Sequence, residues 1–333
     1  MTETTPRVGL LGTGLMGRQH SVAWQRLGIP VLVHSRDKAR GEAFAAEHGF
    51  TAVADRAELL DGVEILDVCT PTDTHAALTL EAAEAGRQVI CEKPIARTPA
   101  EARTMIDACR SAGVGLFPAQ VLRFFPAYVH MREAVLAGRI GRLRRLRFFR
   151  INASPGRGTW FVDVARSGGV LVDLSIHDLD FARWVAGEVT RVVGAYEPFA
   201  TSEPSAGPDE YVRAAATLTH VGGVTSEVTG VWDVPGTELR STFEIEGEQG
   251  TLRFDSMAGP GARVTDEAGE TVYADDGSVD PYAEQLAEFV AALAGRVDAR
   301  VTAEDGLVAL TLALAGGESA RRGGEAVDPA TLR

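Results

Sequence analysis

The chain has 333 residues, 45% hydrophobic and 24% charged, which are globular proportions in a length that exceeds one core and sets two domains as the expectation. Its net charge of -13 leaves no excess of Lys and Arg for counterion release, so neither a nucleic acid nor an anionic membrane surface is an expected partner. No apolar run approaches the roughly 18 residues that span a bilayer. The N-terminus MTETTPRVGL has no basic region followed by an apolar core, and Cys69, Cys91 and Cys109 lack C-x-x-C spacing, so a cytoplasmic protein with reduced thiols is expected.

Val8, Leu10 and Leu11 form a short apolar run that stops at Gly12, and Gly12-Thr13-Gly14-Leu15-Met16-Gly17 fits G-x-G-x-x-G. This pattern predicts a strand, a tight turn and a helix start that receives a dinucleotide pyrophosphate. Gly12 permits the turn, Gly14 admits the phosphate, and Gly17 lets the helix lie close on the strand. A second strand over 30–34 ends at Ser35-Arg36-Asp37. The hydroxyl of Ser35 and the guanidinium of Arg36 suit a ribose 2′-phosphate, which favours NADP over NAD, whereas Asp37 keeps NAD open.

A helix over 39–48, a short strand at 52–54 and a buried strand over 63–69 come next. That strand runs into Thr70-Pro71-Thr72-Asp73-Thr74-His75, a loop and helix start at its carboxyl end, where doubly wound sheets bind ligands. A helix over 76–85 and a strand over 88–91 follow, and Glu92-Lys93-Pro94 then puts Lys93 at the cofactor edge of an open parallel sheet. The last strand of this domain is expected at 117–120. The dinucleotide-binding domain is thus expected to cover 1–121 and an α+β substrate domain 122–333. The basic and apolar residues of 139–150 interleave as on a strand. Strands are expected over 143–151, 191–196, 211–219, 223–231, 241–246 and 251–254, in a largely antiparallel sheet, with helices over 282–293 and 303–320.

Asp173 and His177 stand four residues apart in a segment without internal Gly or Pro, which on one helix puts them on a shared face. Histidine titrates near neutral pH, so His177 suits a proton-transfer role with Asp173 orienting it; the plain alternative is two helix residues that satisfy each other. Arg123, Trp160, Asp163 and Tyr282 are weaker candidates for holding a polyol. His34, His48, His130 and His220 lack partners at ligand spacing, and no metal site is expected.

The sequences GTGLMGRQH at 12–20, TPTDTH at 70–75, GRQVICEKPIA at 86–96 and GGVLVDLSIHDLDFARW at 168–184 together resemble the Gfo/Idh/MocA oxidoreductase family. GRIG at 138–141, EIEGEQGTLRF at 244–254 and the helix over 305–317 match as well, so the resemblance covers nearly the whole chain. It implies a hydride transfer between a nicotinamide cofactor and a secondary alcohol of a sugar, inositol or related polyol. Lys93, Asp173 and His177 are then the catalytic set, with Lys93 on the substrate oxygen, and the Lys93–Pro94 peptide is cis. The implied cofactor residues are Gly12, Thr13, Gly14, Leu15, Met16, Ser35, Arg36, Thr70, Pro71, Thr72, His75, Glu92 and Lys93. A non-catalytic dinucleotide sensor of the same fold has no need of Lys93 or His177, and NAD-dependent glycosidases resemble longer, often exported chains. A sheet covered by helices on one side leaves its other face to a second copy, so a homodimer or a tetramer of dimers is expected, with apolar alternation over 217–231 and 243–254 as the contact face.

Overall fold

In a computed structural model the chain is described over residues 5–156, 159–198, 212–259 and 261–333; Tyr211, where one strand was expected to begin, lies outside the described residues. The elements run β1 (Val8–Leu11), α1 (Leu15–Leu27), β2 (Val31–His34), α2 (Lys38–His48), β3 (Thr51–Ala52), α3 (Arg56–Asp61), β4 (Ile65–Val68), α4 (His75–Glu84), β5 (Gln88–Glu92), α5 (Pro99–Ala112) and β6 (Leu116–Ala119). After these come α6 (Pro126–Leu136), β7 (Leu143–Ala153), α7 (Val164–Ser167), α8 (Gly169–Asp173), α9 (Ile176–Ala186), β8 (Val189–Pro198), β9 (Val212–His220) and β10 (Thr225–Asp233). The chain closes with β11 (Arg240–Gly247), β12 (Thr251–Asp255), β13 (Ala262–Asp266), β14 (Gly269–Tyr273), α10 (Pro281–Leu293) and α11 (Ala303–Arg321). Packing divides it into two units, 1–124 with 280–307, and 125–279 with 308–333.

The first unit is built on a parallel sheet of order β3-β2-β1-β4-β5-β6. Strand order reverses at β1 and β4, and the carboxyl ends of strands at such a point open a ligand crevice. The helices have local reasons to start and stop where they do. Asp37 caps α2, its carboxylate accepting from Arg40 N at 3.1 Å, and Thr98 caps α5 with Pro99 and Glu101 in the first turn, an arrangement that satisfies otherwise unpaired N–H groups. Chain order assigns α10 to the second domain, yet its Leu286 and Phe289 are buried with Val8, Leu10, Trp24 and Phe124 in the core of the first unit. The periodicity of α10 announces an apolar stripe, and only packing decides which core receives it.

The second unit carries an eight-stranded sheet of order β14-β13-β12-β11-β7-β10-β9-β8. Every neighbouring pair is antiparallel except β7 and β10. Side chains alternate across the sheet as the period of two requires. Phe148, Val228, Phe243, Ile245 and Leu252 are buried, and the Phe243 ring meets Tyr128 of α6 at 5.1 Å and Phe181 of α9 at 6.1 Å. The alternating apolar residues expected to form a copy-to-copy face therefore pack on helices of their own chain. The opposite face carries charged pairs instead, with Glu244 held by Arg147 at 2.5 Å and by Arg253 at 2.7 Å, and Glu227 by Arg145. Among the described residues no helix is long and apolar enough to cross a membrane.

Candidate active site and cofactor cradle

The three motif glycines have three different surroundings. Gly12 has φ +110°, and a Cβ there would overlap the Cys69 carbonyl at the end of β4. A Cβ on Gly17 would overlap the Gly12 carbonyl, so α1 rests directly on the turn. A Cβ on Gly14 would meet nothing within 4 Å, and Gly14 caps α1 without any side-chain hydrogen bond to the first turn. With Leu15 73% exposed beside it, the cradle offers unfilled space and helix N–H groups where a pyrophosphate needs both, and so fits a dinucleotide.

At the tip of β2 the three candidate residues separate. Asp37 is committed to capping α2, whereas Ser35 is half-buried and Arg36 exposed. Arg40, which sequence reading passed over, sends Nη2 to the Thr13 carbonyl at 3.1 Å and so places a second cation at the glycine turn. Its signal was available in principle, since Arg40 stands three residues after Asp37, in the first turn of α2 and close to the strand tip.

The loops after β4 and β5 are tied together. Thr70 and Thr74 share a hydroxyl hydrogen bond of 2.6 Å, and Thr74 also donates to the Pro71 carbonyl at 2.7 Å. Thr13 and Thr72 are buried, while Met16 is partly buried and packs on the core beneath the turn. His75 is buried between two carbonyls, with Nδ1 2.9 Å from Pro94 O and Nε2 2.9 Å from Thr70 O. Burial holds its pKa below the ordinary histidine value, against the pull of those carbonyls. His75 therefore fixes the loops that frame the cradle. The Lys93–Pro94 peptide is cis, Lys93 is half-buried, and its backbone N donates to Glu92 Oε2 at 2.9 Å.

Beneath this edge lies a polar cluster that sequence reading did not identify. His20 is fully buried, with Nδ1 2.9 Å from Asp67 Oδ2 and Nε2 3.1 Å from Glu92 Oε1. Trp24 Nε1 donates to Asp67 Oδ2 at 2.7 Å, and Cys69 Sγ lies 3.4 Å from His20 Nδ1. Burial is the largest single effect and lowers the His20 pKa, but the Asp67 charge, the Cys69 side chain and the hydrogen bonds to both together outweigh it, and the net result is well above the ordinary value. One side-chain polar atom from each of His20, Asp67 and Cys69 lies within 4.8 Å of the other two, and hydrogen bonds among the three use those same atoms. Burial and the Asp67 charge also drive the Cys69 thiol far up, so it remains a protonated thiol. The signal in the sequence was Asp67 itself, an acid within an otherwise apolar strand. At the carboxyl end of β6, Gln120 is 1% exposed with neither amide atom hydrogen-bonded, an unmet demand on the cofactor edge.

Two of the weaker candidates belong to this unit. Arg123 is buried and donates to Arg300 O at 2.7 Å and to Asp305 at 3.2 Å, fastening the segment after β6 to the 300–305 loop. Tyr282 is partly buried against the core, its ring 6.3 Å from that of His20.

In the second unit Asp173 and His177 are both half-buried. They do not share one unbroken helix as expected: Asp173 ends α8 and His177 lies in the first turn of α9, with a wide turn between them in which Ser175 N bonds Val170 O at 2.9 Å. That bond spans five residues, which changes the rotation on which the four-residue spacing argument depended. Beside His177, Asp178 takes two hydrogen bonds of 2.8 Å from Arg150 on β7. Asp163 caps α7 through Ala165 N at 3.1 Å, and Trp160 stacks on Phe161 at 4.0 Å.

Both parts of the chain match known families. Residues 6–120 match the model of an oxidoreductase family with an NAD-binding Rossmann fold, and residues 128–253 match the GFO/IDH/MocA C-terminal domain. The chain is 32% identical over 327 residues to a 1,5-anhydro-D-fructose reductase of Ensifer adhaerens, covering 93% of this chain and 94% of that protein. The chain belongs to the Gfo/Idh/MocA oxidoreductase family. An inositol 2-dehydrogenase of Rhizobium meliloti is 27% identical over 324 residues, covering 93% of this chain and 95% of its own. Among solved structures of the same fold, a levoglucosan dehydrogenase in complex with NADH superposes with a TM-score of 0.87 at 22% identity, covering 97% of this chain and 98% of that one. As a Gfo/Idh/MocA member the chain is an oxidoreductase with a Rossmann domain for a nicotinamide dinucleotide.

Proposed function

We propose that this oxidoreductase interconverts a secondary alcohol and a ketone on a sugar, inositol or related polyol, with Lys93, Asp173 and His177 as its catalytic residues and NADP as its preferred dinucleotide. The observation that carries the reading is Lys93. It leaves β5 at the carboxyl edge of the parallel sheet, half-buried and held by Glu92, on the edge that carries the dinucleotide cradle. Full-length relatives named as reductases and dehydrogenases of sugars and inositol support the substrate class. The bound dinucleotide supplies the two-electron redox chemistry. His177 takes the hydroxyl proton during oxidation and returns it during reduction, Asp173 orients the His177 ring, and Lys93 stabilises negative charge that develops on the substrate oxygen. Gly12, Thr13, Gly14, Leu15 and Met16 hold the pyrophosphate, and Thr70, Pro71, Thr72, Glu92 and Lys93 line the nicotinamide side.

The NADP preference rests on Asp37, which is engaged as a helix cap, and on Ser35, Arg36 and Arg40 around the strand tip. Binding of NADH to a relative's structure speaks for that relative only. Assembly through the outer face of the eight-stranded sheet is part of the same reading. Across β12, β11, β7 and β10 the row Arg253, Glu244, Arg147, Glu227 alternates in sign, which lets the face meet a copy of itself under a two-fold axis, and a monomer in light scattering at micromolar concentration refutes it. The test of function is a panel of inositols, aldoses and keto-sugars with both dinucleotides, read at the nicotinamide absorbance. Lys93→Ala and His177→Ala are expected to lower turnover by orders of magnitude while dinucleotide still binds. Near-normal turnover in either variant refutes the assignment.

A further inference from the structure

His20, Asp67 and Glu92 come from a helix and two strands and meet in a fully buried site. We propose that His20 is a positioning residue of the active site, a protonated imidazolium that bridges Asp67 and Glu92 and, through Glu92, fixes the backbone from which Lys93 projects. The inference rests on the reading of Lys93 as a catalytic residue.

With both carboxyl groups ionised, the geometry points to one arrangement of protons. A carboxylate oxygen only accepts, and both ring nitrogens of His20 face carboxylate oxygens, Nδ1 at 2.9 and 3.0 Å from Asp67 and Nε2 at 3.1 Å from Glu92. A neutral ring would turn a lone pair toward one of them; the acceptors here are anions, unlike the two neutral carbonyls that flank His75, so a ring with two donors, a cation, satisfies both. The other polar groups placed against the ring among the described residues are uncharged. Trp24 Nε1 donates to Asp67 at 2.7 Å, the Cys69 thiol lies 3.4 Å from Nδ1, and the Tyr282 ring stands 6.3 Å away. Burial works against the proton, and the Asp67 charge together with the hydrogen bonds around the ring keeps it there.

The bridge reaches the reacting end of the molecule through one atom. Glu92 uses Oε1 for His20 and Oε2 for the Lys93 backbone N at 2.9 Å. With both oxygens held, the carboxylate cannot rotate, and the first peptide beyond β5 is fixed at the point where the Lys93 side chain begins. An acid in the middle of a buried strand is costly, and a cation shared with the neighbouring strand is what makes Asp67 tolerable there. Its net charge with Glu92 and His20 is one negative.

The first test needs no turnover. In protein labelled with 15N-histidine, both His20 ring nitrogens, identified by their loss in His20→Gln, are expected to show the protonated signature throughout pH 6 to 9. A neutral tautomer at pH 7, or a stoichiometric divalent metal on His20 in the purified protein, overturns the proposal whatever the substrate proves to be. The second test is kinetic. In His20→Gln two buried carboxylates face each other without a cation, and one takes up a proton. The expected result is a kcat roughly ten- to a hundredfold lower with the dinucleotide KM little changed, and a loss of activity with rising pH that the wild type lacks. Asp67→Asn combined with His20→Gln removes that pH dependence. A purely structural His20 lowers the melting temperature of His20→Gln and leaves the pH profile and kcat of the folded fraction as in the wild type, which refutes positioning. If His20→Gln does not fold, Asp67→Asn alone serves: its His20 is expected to titrate in the NMR experiment at a lower pH than in the wild type, and an unchanged titration refutes the bridge.

Discussion

Removing the carboxylate of Asp178 tests how the helix that carries His177 is held to the sheet. Arg150 and Asp178 have side chains 6% and 2% exposed and are joined by two hydrogen bonds of 2.8 Å. The guanidinium also donates to Ser241 Oγ at 2.7 Å and Tyr128 Oη at 3.2 Å. Burial pushes the Tyr128 hydroxyl up to about 12, against the opposing effect of Arg150, so it accepts as a neutral group and cannot replace the lost anion. Asp178→Ala leaves Arg150 buried without a counter-charge, which costs about 3–5 kcal/mol. For a domain of 150–250 residues, roughly 2–4 °C per kcal/mol converts this to a melting temperature lowered by about 6–20 °C. Thermal unfolding followed by circular dichroism measures the shift, and urea denaturation checks it at fixed temperature. The same variant is expected to lower kcat in the folded protein, because Asp178 anchors the turn next to His177. Replacing both partners, as Arg150→Met with Asp178→Leu, is expected to recover most of the stability, since no buried charge then remains unpaired. A single variant that melts within about 2 °C of the wild type, less than the smallest shift expected from the lost pair, or a double variant less stable than the single one, refutes the reasoning.

Gly17→Ala is expected to lower stability, because its Cβ would overlap the Gly12 carbonyl, whereas Gly14→Val is expected to keep the melting temperature and weaken dinucleotide binding, because the space around Gly14 is open; calorimetry with titration of the dinucleotide separates the two, and equal effects on stability refute the assignment. Arg36→Ala is expected to weaken NADP binding about ten- to a hundredfold, the worth of one charge-assisted hydrogen bond, and Ser35→Asp to shift preference toward NAD; a wild type that binds NAD more tightly than NADP refutes the proposed preference. Burial depresses the folded-state pKa of His75 and His220 below the ordinary value of 6.5. Their contribution is thus present above about pH 6.5 and lost as pH falls through the folded-state value. His220→Gln is expected to flatten the fall in unfolding free energy between pH 7 and pH 5, measured by urea melts, and an unchanged slope refutes it.

Short-range features were legible in the sequence alone. The three glycines, the apolar strands that stop at Gly12 and before Thr70, and the Glu92-Lys93-Pro94 edge are each set by a few neighbouring residues. The strand-and-helix alternation that follows them was therefore readable before any tertiary contact was known, as was the change at about residue 142 to a mostly antiparallel sheet. Tertiary structure alone decided the rest, and in each case the reason is a partner distant in sequence or a choice between local partners. Asp37 had two uses within reach, a ribose and a helix N-terminus, and the backbone of α2 takes it. The wide turn is closed by Ser175 N on Val170 O, and Ser175 is buried there against Gly230 of β10, so the spacing of Asp173 and His177 could not report it. The apolar faces of β10, β11 and β12 announce burial without naming what buries them, and the helices of the same unit do so. Asp67 and Glu92 lie 47 and 72 residues from His20 along the chain. No local rule relates them, and only the parallel order of β1, β4 and β5 under α1 brings an acid that looks misplaced in its strand to the histidine that accounts for it.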